Sequence, residues 1–164
     1  MWRGRLPHWR AENEIYYVTF RHRRSLVDSE RSILLTSLLR GQRRKLDLLI
    51  IGVLPDQTDM LFRVEKGPDG EEFELSDVIE KAKRKAGKAI TAKSGERYPP
   101  FWTESFDRIM RDEEEVQTHW QSIFESPSRL EEAVEPEEYE WLWVAESLGE
   151  TETAPAPRVM PTPP

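Results

Sequence analysis

The chain has 164 residues, of which 37% are hydrophobic and 34% are charged, and it contains no cysteine. That length favours one domain with a real core, and no apolar stretch approaches the roughly 18 residues that a membrane span needs. The basic N-terminus has no apolar segment behind it of the kind a secretory signal carries. Without cysteine, the chain has no disulfides, thiolate zinc sites or cysteine nucleophiles. We therefore expect a cytoplasmic protein that does not bind a membrane.

The net charge of −7 conceals a gradient along the chain. Residues 1–50 carry 11 Lys and Arg against 5 Asp and Glu, residues 51–100 carry 9 against 10, and residues 101–164 carry 4 against 16. The basic first part is suited to phosphate, whereas the acidic last third would repel it. A sequence pI near 5.2 argues mildly against a general nucleic-acid binder and leaves room for a local basic face.

In the first half of the chain, the pattern predicts a strand, a helix and a hairpin. Residues 15–20 (IYYVTF) are rich in β-branched and aromatic side chains, which is typical of a strand. Asp28 or Ser29 is the expected N-cap of a helix that carries four leucines. Residues 46–54 (LDLLIIGVL) form an apolar run typical of a strand covered on both faces, and residues 60–65 alternate as a second strand.

The second half continues with two helices and a strand. Ser76 is the expected N-cap of a helix that runs to about residue 93, and a strand is expected within residues 101–110. Residues 111–125 predict a helix, and residues 135–144 predict an acidic turn that leads into an aromatic stretch. The inward positions of the two helices are Val78, Ala82, Ala86 and Ile90 in the first, and Val116, Trp120, Ile123 and Phe124 in the second.

The order of these elements predicts an α+β fold. We expect a ferredoxin-like or RRM-like antiparallel sheet with helices on one face. Residues 1–149 form the expected domain. Residues 150–164 are rich in proline and lack apolar surface, so we expect an extended tail there.

Three segments carry a resemblance to a known family. They are LPHWR with YYVTFR (residues 6–10 and 16–21), FWTESFDRIMRDEEEV (101–116) and EPEEYEW (135–141). In motif and spacing, these segments resemble the REP-associated tyrosine transposases, which are HUH enzymes of the IS200-like transposase family. The resemblance covers about residues 5–145 and implies the HUH transposase fold and a bacterial origin.

The family resemblance also implies a specific chemistry. Such enzymes carry a Pro-polar-His-apolar-His motif on a central strand, and the two histidines with a third polar ligand hold a divalent metal. The metal polarises a phosphate while a tyrosine on a helix attacks it, and a covalent phosphotyrosine link results. The spacing His-x-His suits a strand because residues i and i+2 share a face.

In this chain, all four positions that match those residues differ. Gln57 and Asp59 stand at the two histidines, Ser122 stands at the tyrosine, and Ser126 stands at a usual asparagine ligand. The resemblance therefore implies a degenerate member without catalytic residues, a metal site or a cofactor. A bland interpretation of Gln57 and Asp59 is a pair of solvated residues near a hairpin turn, and Asp59 alone remains a weak ligand for a hard cation.

Basic residues form two clusters that could contact nucleic acid. In the family, basic residues near the cleft grip a DNA hairpin, although a charged helix face is more often simply solvated. The first cluster follows the first strand and contains Arg21, Arg23 and Arg24. The second, which we call the basic stripe, lies opposite the apolar positions of its helix and contains Lys81, Arg84, Lys85 and Lys88. Three further residues are weaker candidates, His119 beside the cleft and Trp2 and Trp9 as stacking residues.

Three functional hypotheses follow. The first is a domesticated transposase, a pseudoenzyme that binds structured or single-stranded DNA without nicking it. The second is a protein-interaction or scaffold subunit of a larger assembly, which binds a partner through its acidic last third and proline-rich tail. The third, an active transposase or nuclease, is disfavoured by the four replaced residues.

Overall fold

The computed structural model of the chain describes residues 14–40, 46–64, 75–102 and 105–145. Within those ranges, none of the helices combines the length and the apolar character needed to cross a membrane. The elements in chain order are β1 (Glu14–Arg21), α1 (Asp28–Leu39), β2 (Leu46–Val53), β3 (Gln57–Val64), α2 (Leu75–Ser94), β4 (Phe106–Ile109), α3 (Glu113–Phe124), two 3-10 helices (Ser126–Arg129 and Pro136–Glu138) and β5 (Leu142–Val144).

The strands form one antiparallel sheet in the order β4-β1-β3-β2-β5. β2 and β3 form the hairpin that the sequence predicted, and it lies in the interior of the sheet. Ile50 and Ile51 are both fully buried because side chains that point to opposite faces of a central strand are both covered. A shift in register between Leu48 and Ile50 marks a β-bulge in β2. β3 is thus the middle strand of the sheet, with a neighbour on each side.

Different helices cover the two faces of the sheet. On one face, the ring of Phe20 lies 4.6 Å from the ammonium nitrogen of Lys83 in α2, and α2 packs against α1. On the other, the ring of Tyr17 lies 4.6 Å from the ring of His119 in α3. We call these the α1–α2 face and the α3 face. Each residue of β1 is on the same face as its register partner in β3, so the side chains that share the α3 face can be read from the pairing.

The predicted antiparallel α+β class is confirmed. Helices were expected on one face, and α1 and α2 do share one, while α3 lies on the opposite face and gives the molecule a third layer. The inward positions predicted for α3 are correct, since Val116, Trp120 and Ile123 are buried. The order of elements does not determine which face of the sheet α3 packs against, because the chain after β4 can lead to either face.

The predicted cap of α1 was wrong. α1 begins at Asp28, and Val27 occupies the N-cap position, where its backbone N–H donates to the carboxylate of Glu30 at 3.0 Å. Glu30, three residues after Val27, thus accepts from the N-cap backbone, and neither Asp28 nor Ser29 caps the helix.

Three further points concern the start of α2, the last strand and the C-terminal tail. α2 begins at Leu75, so Ser76 lies inside its first turn and is not the cap. β5 was not predicted as a strand, because three residues after an acidic turn give too short a pattern. The tail at 150–164, with Trp2 and Trp9, lies outside the described residues, so the domain boundary at residue 149 stays a prediction.

Candidate functional site

Asp59 lies on the α3 face of the middle strand and is almost entirely buried, with 6% of its surface exposed. The Thr19 hydroxyl, on the neighbouring β1, donates to its Oδ1 at 2.6 Å. The side-chain N–H of Gln57 donates to both of its carboxylate oxygens, at 2.9 and 3.1 Å. Gln57 and Asp59 thus share a face, as the i, i+2 spacing predicted, and they interact with each other rather than standing solvated.

Burial raises the pKa of Asp59, although hydrogen bonds from Thr19, Gln57 and Tyr17 and the charge of Arg129 act against that rise. Burial also raises the pKa of Tyr17, and the negative charge of Asp59 raises it further. The α3 face therefore holds a carboxylate that the fold accommodates better when it is protonated.

Ser126 lies beside Gly52, the strand neighbour of Asp59, and its hydroxyl makes a structural hydrogen bond. It begins the 3-10 helix after α3, is 3% exposed, and its hydroxyl donates to the Ile123 carbonyl at 2.7 Å. Its Oγ would be 3.6 Å from a methyl group added at Gly52, which is the register partner of Asp59 in β2. Ser126 thus faces the Asp59 region, with its only proton directed to the end of α3.

Ser122 is exposed on α3 and is held by Arg129. The guanidinium of Arg129 donates to the Ser122 carbonyl at 2.8 Å and lies 3.4 Å from its hydroxyl oxygen. Arg129 is also near enough to lower the pKa of Asp59 through its charge. The structure therefore brings Gln57, Asp59, Ser126 and Ser122 to one end of the α3 face.

These residues do not fit the metal site that the family resemblance implies. Both oxygens of Asp59 already accept hydrogen bonds, and the amide of Gln57 presents N–H groups to them rather than its oxygen. A divalent cation needs several oxygen or imidazole donors. Across the described ranges, no group of three His, Cys, Asp or Glu side chains is placed to hold a metal ion.

Of the two histidines among the described residues, His22 is engaged on the other face and His119 lies beside the site. The Nδ1 atom of His22 is 2.9 Å from the Pro55 carbonyl and its Nε2 atom is 2.9 Å from the Thr58 hydroxyl, on the α1–α2 face. Burial lowers the pKa of His22. His119 does lie beside the site as predicted, where its ring packs on Tyr17.

The three arginines after β1 have different environments. Arg21 is exposed and pairs in register with Gln57, so it lies at the mouth of the site. Arg23 is exposed, and its guanidinium carbon lies 5.0 Å from the ring of Trp102. Arg24 instead binds two carboxylates, with nitrogen-to-oxygen distances of 2.7 Å to Glu30 and to Glu96.

The basic stripe lies on the far side of the molecule from Asp59. All four of its residues are exposed on the outer surface of α2, whose inner surface packs on the α1–α2 face. Arg21 and the stripe are therefore in different layers of the fold.

An open cleft of about 530 Å³ extends from Thr19 and Gln57 towards β4. Trp102 and Phe106 line it together with Arg21, and these two rings are 49% and 56% exposed. Trp102 was not among the candidate residues identified from the sequence. The available signal was the pair of residues 101 and 102, since successive residues of an extended segment point in opposite directions, and Phe101 is the buried member.

Comparison with known proteins supports the fold assignment. The structure of a REP-associated tyrosine transposase bound to a REP hairpin is similar over 98% of this chain and 99% of that one, with a TM-score of 0.60 and 12% sequence identity. A provisionally assigned transposase from Deinococcus radiodurans R1 aligns over 77% of this chain and 97% of its own, with a TM-score of 0.48 and 15% identity. No family model and no curated protein sequence matches this chain. The fold expected from the resemblance is thereby confirmed.

Proposed function

We propose that this protein is a transposase-derived nucleic-acid-binding protein that holds structured or single-stranded DNA without nicking it. The observation that carries the proposal is the hydrogen-bonded unit of Thr19, Gln57 and Asp59 on the middle strand. In the family resemblance, Gln57 and Asp59 match the His-x-His pair, and the fold is similar to that of a transposase bound to a REP hairpin. A DNA-binding fold has kept its cleft while the groups for cutting have been replaced.

The binding half of the proposal rests on the cations around the cleft and on α2. Arg21 and Arg23 are exposed at the end of β1, and the basic stripe adds four exposed cations on α2. Lys and Arg side chains that neutralise phosphates release counterions, which makes the affinity depend steeply on salt. Arg24 contributes less in this proposal, because Glu30 and Glu96 already neutralise it.

The absence of cutting rests on the state of the residues at the four replaced positions. A serine hydroxyl is a much weaker acid than the tyrosine phenol, whose pKa is about 10, so it needs a strong base or a well-held metal to attack phosphate. At position 122, the adjacent charged group is the guanidinium of Arg129, which cannot accept a proton. In this proposal the protein uses no metal or other cofactor, and its cytoplasmic location remains a prediction.

A binding titration tests whether the protein holds nucleic acid. We expect a labelled REP-like hairpin to bind the full chain with an affinity that falls steeply as salt rises. Changing Lys81, Lys85 and Lys88 to glutamate should abolish that binding while the circular dichroism spectrum stays unchanged. A triple change of exposed cations elsewhere, at Arg40, Lys93 and Arg111, controls for the altered net charge. Unaltered binding by the Lys81–Lys85–Lys88 variant would remove the basic stripe from the interface.

A cleavage assay tests whether the protein nicks DNA. The protein is incubated with end-labelled hairpin DNA and manganese, and the products are separated on a denaturing gel. We expect neither a protein–DNA adduct nor a cleavage product. A product that disappears in a Ser122→Ala variant would overturn the proposal, because it would make Ser122 a nucleophile.

A protein-interaction subunit is the alternative function. It is favoured by the edge strand β4, whose four residues are all exposed and include Phe106 and Ile109. An exposed strand edge can pair with a strand of another chain. If a partner binds the acidic last third, deletion of residues 150–164 should weaken that complex and leave the melting temperature of the isolated protein unchanged. Co-purification of a fixed partner, without salt-dependent hairpin binding, would favour this alternative.

A further inference from the structure

We propose that Tyr98, Trp102 and Phe106 form a base-stacking surface for an unpaired stretch of nucleic acid, with Arg23 and Arg97 placed to meet its phosphates. We call these three aromatic residues the ring cluster. The inference rests on the proposed nucleic-acid binding and adds to it the part of the ligand that this surface recognises. The ring cluster belongs neither to the four replaced positions nor to the two basic clusters predicted from the sequence.

The exposure of the ring cluster is the first observation. The three rings are 57%, 49% and 56% exposed, and in the described part of the chain every exposed aromatic side chain lies between residues 98 and 106. Large apolar side chains in one exposed patch are unfavourable in water and commonly mark an interaction site. Since Phe101, within the same stretch, is buried, the exposure is not a property of a wholly detached segment.

Residues 98–102, which carry two of the rings, are held by Arg23 and by α2, while Phe106 belongs to β4. The backbone N–H of Arg23 donates to the Pro100 carbonyl at 2.6 Å, and its guanidinium donates to the Pro99 carbonyl at 3.3 Å. Pro99 packs so tightly on α2 that a methyl group added at Gly87 would lie 2.9 Å from it. A platform fixed in this way loses little conformational freedom on binding, which favours affinity.

Positive charge beside the rings points to nucleic acid as the occupant. The guanidinium carbon of Arg23 lies 5.0 Å from the ring centroid of Trp102 and 5.8 Å from that of Tyr98, and that of Arg97 lies 5.4 Å from Tyr98. Glu96, the nearby carboxylate, is bound by Arg24, which together with Ser94 lowers its pKa to about 2. Aromatic rings interleaved with arginines match a strand that alternates base and phosphate.

The cleft, and the alternating directions of the side chains along β4, define where an unpaired base can enter. Phe106 and Trp102 line the 530 Å³ cleft on the α3 face, whereas the neighbouring Asp107 pairs with Val18 and points to the opposite face. A cleft of that volume is within the range of sites that bind small ligands. Bases within a duplex stack on one another, so only an unpaired base can offer its flat face to a protein ring. The ligand class is therefore a single-stranded segment.

The test compares two strands with the same phosphates. Fluorescence anisotropy would measure binding of the full chain to an oligothymidylate of roughly twelve nucleotides and to an abasic strand of equal length. We expect the wild type to prefer the strand with bases, and Trp102→Ala to reduce that affinity about tenfold while leaving abasic binding unchanged. Tyr98→Ala and Phe106→Ala should act in the same direction, and Trp102→Phe should restore most of the preference.

The controls separate this inference from the function on which it rests. Ile109→Ala removes an exposed apolar side chain from the other face of β4 and should not change either affinity. Equal binding of both strands by the wild type overturns base stacking but leaves phosphate binding intact. No binding of either strand at low salt overturns this inference, and the hairpin titration then decides the proposed function separately. Unchanged DNA binding in the Trp102 variant, with a loss of self-association instead, assigns the ring cluster to a protein interface and also overturns it.

Discussion

The two faces of the central sheet treat their buried polar groups differently. On the α1–α2 face, His22 is held between a backbone carbonyl and the hydroxyl of Thr58, and burial lowers its pKa, so it is stable there as a neutral ring. On the α3 face, Asp59 is buried against the hydroxyl of Thr19 and the amide of Gln57, and its pKa is raised. Burial disfavours the charged form of both groups, but a histidine is ordinarily mostly neutral at pH 7 whereas a carboxylate is ordinarily ionised, so the cost of a buried charge falls on Asp59.

The surroundings of the two groups also differ. A cleft lies beside Asp59 on the α3 face, and a buried carboxylate next to a cleft is a candidate for a functional group. The α1–α2 face is closed by α1 and α2, with Leu34 and Ile90 fully buried. We therefore expect substitutions on the α1–α2 side to change stability, and substitutions on the α3 side to change binding or chemistry.

Restoring the family residues on the α3 face should have the largest effect. The variant with His at 57 and 59, Tyr at 122 and Asn at 126 regains a metal-ligand set and a phenol nucleophile, and general activation alone contributes about two to four orders of magnitude in rate. We expect a covalent adduct with hairpin DNA in manganese, seen on a denaturing gel. The same variant with Ser122 retained is the control and should give none. An adduct from that control would show that the site works without the phenol.

Replacing Arg24 should have the next largest effect, and the quantity that changes is the stability of the fold. Arg24→Met leaves Glu30, which is 8% exposed, without its guanidinium partner and should lower the free energy of unfolding by about 2 kcal/mol at neutral pH. Hydrogen bonds from Arg24 lower the pKa of Glu30, so this stabilisation is present above the unfolded pKa of glutamate and is lost as the pH falls through the folded value.

Urea unfolding of the Arg24 variant at neutral and at acidic pH measures this effect, and the deficit should shrink in acid. Arg23→Met is the matched control because Arg23 is exposed and binds no carboxylate among the described contacts. We expect that control to change stability by less than about 0.5 kcal/mol. An equal loss in both variants would contradict the division of roles between these two arginines.

Two glycines, one on each side of the sheet, give a smaller and more direct comparison. A methyl group at Gly87 of α2 would lie 2.9 Å from the rigid ring of Pro99, while one at Gly52 would lie 3.3 Å from the Ile123 side chain. Gly87→Ala should destabilise the protein by about 1 to 2 kcal/mol despite the better helix propensity of alanine, and Gly52→Ala should be close to neutral. Thermal melting of both variants measures the difference, and a reversed order would show that the α3 side is the more tightly packed.

How much of this could be predicted from the sequence depends on how far apart the interacting residues lie. The hairpin and the buried positions of α2 and α3 follow from local periodicity. The contacts that define the site join residues distant in sequence, since Thr19 reaches Asp59 across 40 positions and Arg24 reaches Glu96 across 72. No local pattern contains such pairings, so the sequence identified Gln57 and Asp59 as replaced positions but described them as solvated.

The exposed rings and the two arginine roles were beyond prediction for a related reason. Arg23 and Arg24 are adjacent and chemically identical. The fold places Glu96 beside Arg24, which forms a structural ion pair, and places Tyr98 and Trp102 beside Arg23, which stays at the surface. Trp102 was not identified as a candidate because most tryptophans are largely buried in cores. Its exposure depends on Phe101 taking the inward position.

Asp59→Asn should have the smallest effect and an unusual sign. Because the folded-state pKa of Asp59 is raised, the fold favours the protonated acid, and this contribution is fully present below the unfolded pKa of about 3.9 and lost as the pH rises through the folded value. Asparagine does not titrate, so the variant should be more stable than the wild type at pH 7, by about 1 kcal/mol or less, and should lose that advantage in acid. Urea unfolding of both proteins across that pH range measures the difference. Asp56→Asn, at an exposed position three residues away, controls for the removal of one negative charge. A loss of stability at pH 7 would mean that the ionised carboxylate stabilises the fold through Thr19 and Gln57. Asp59 would then be a structural residue, as His22 is on the other face.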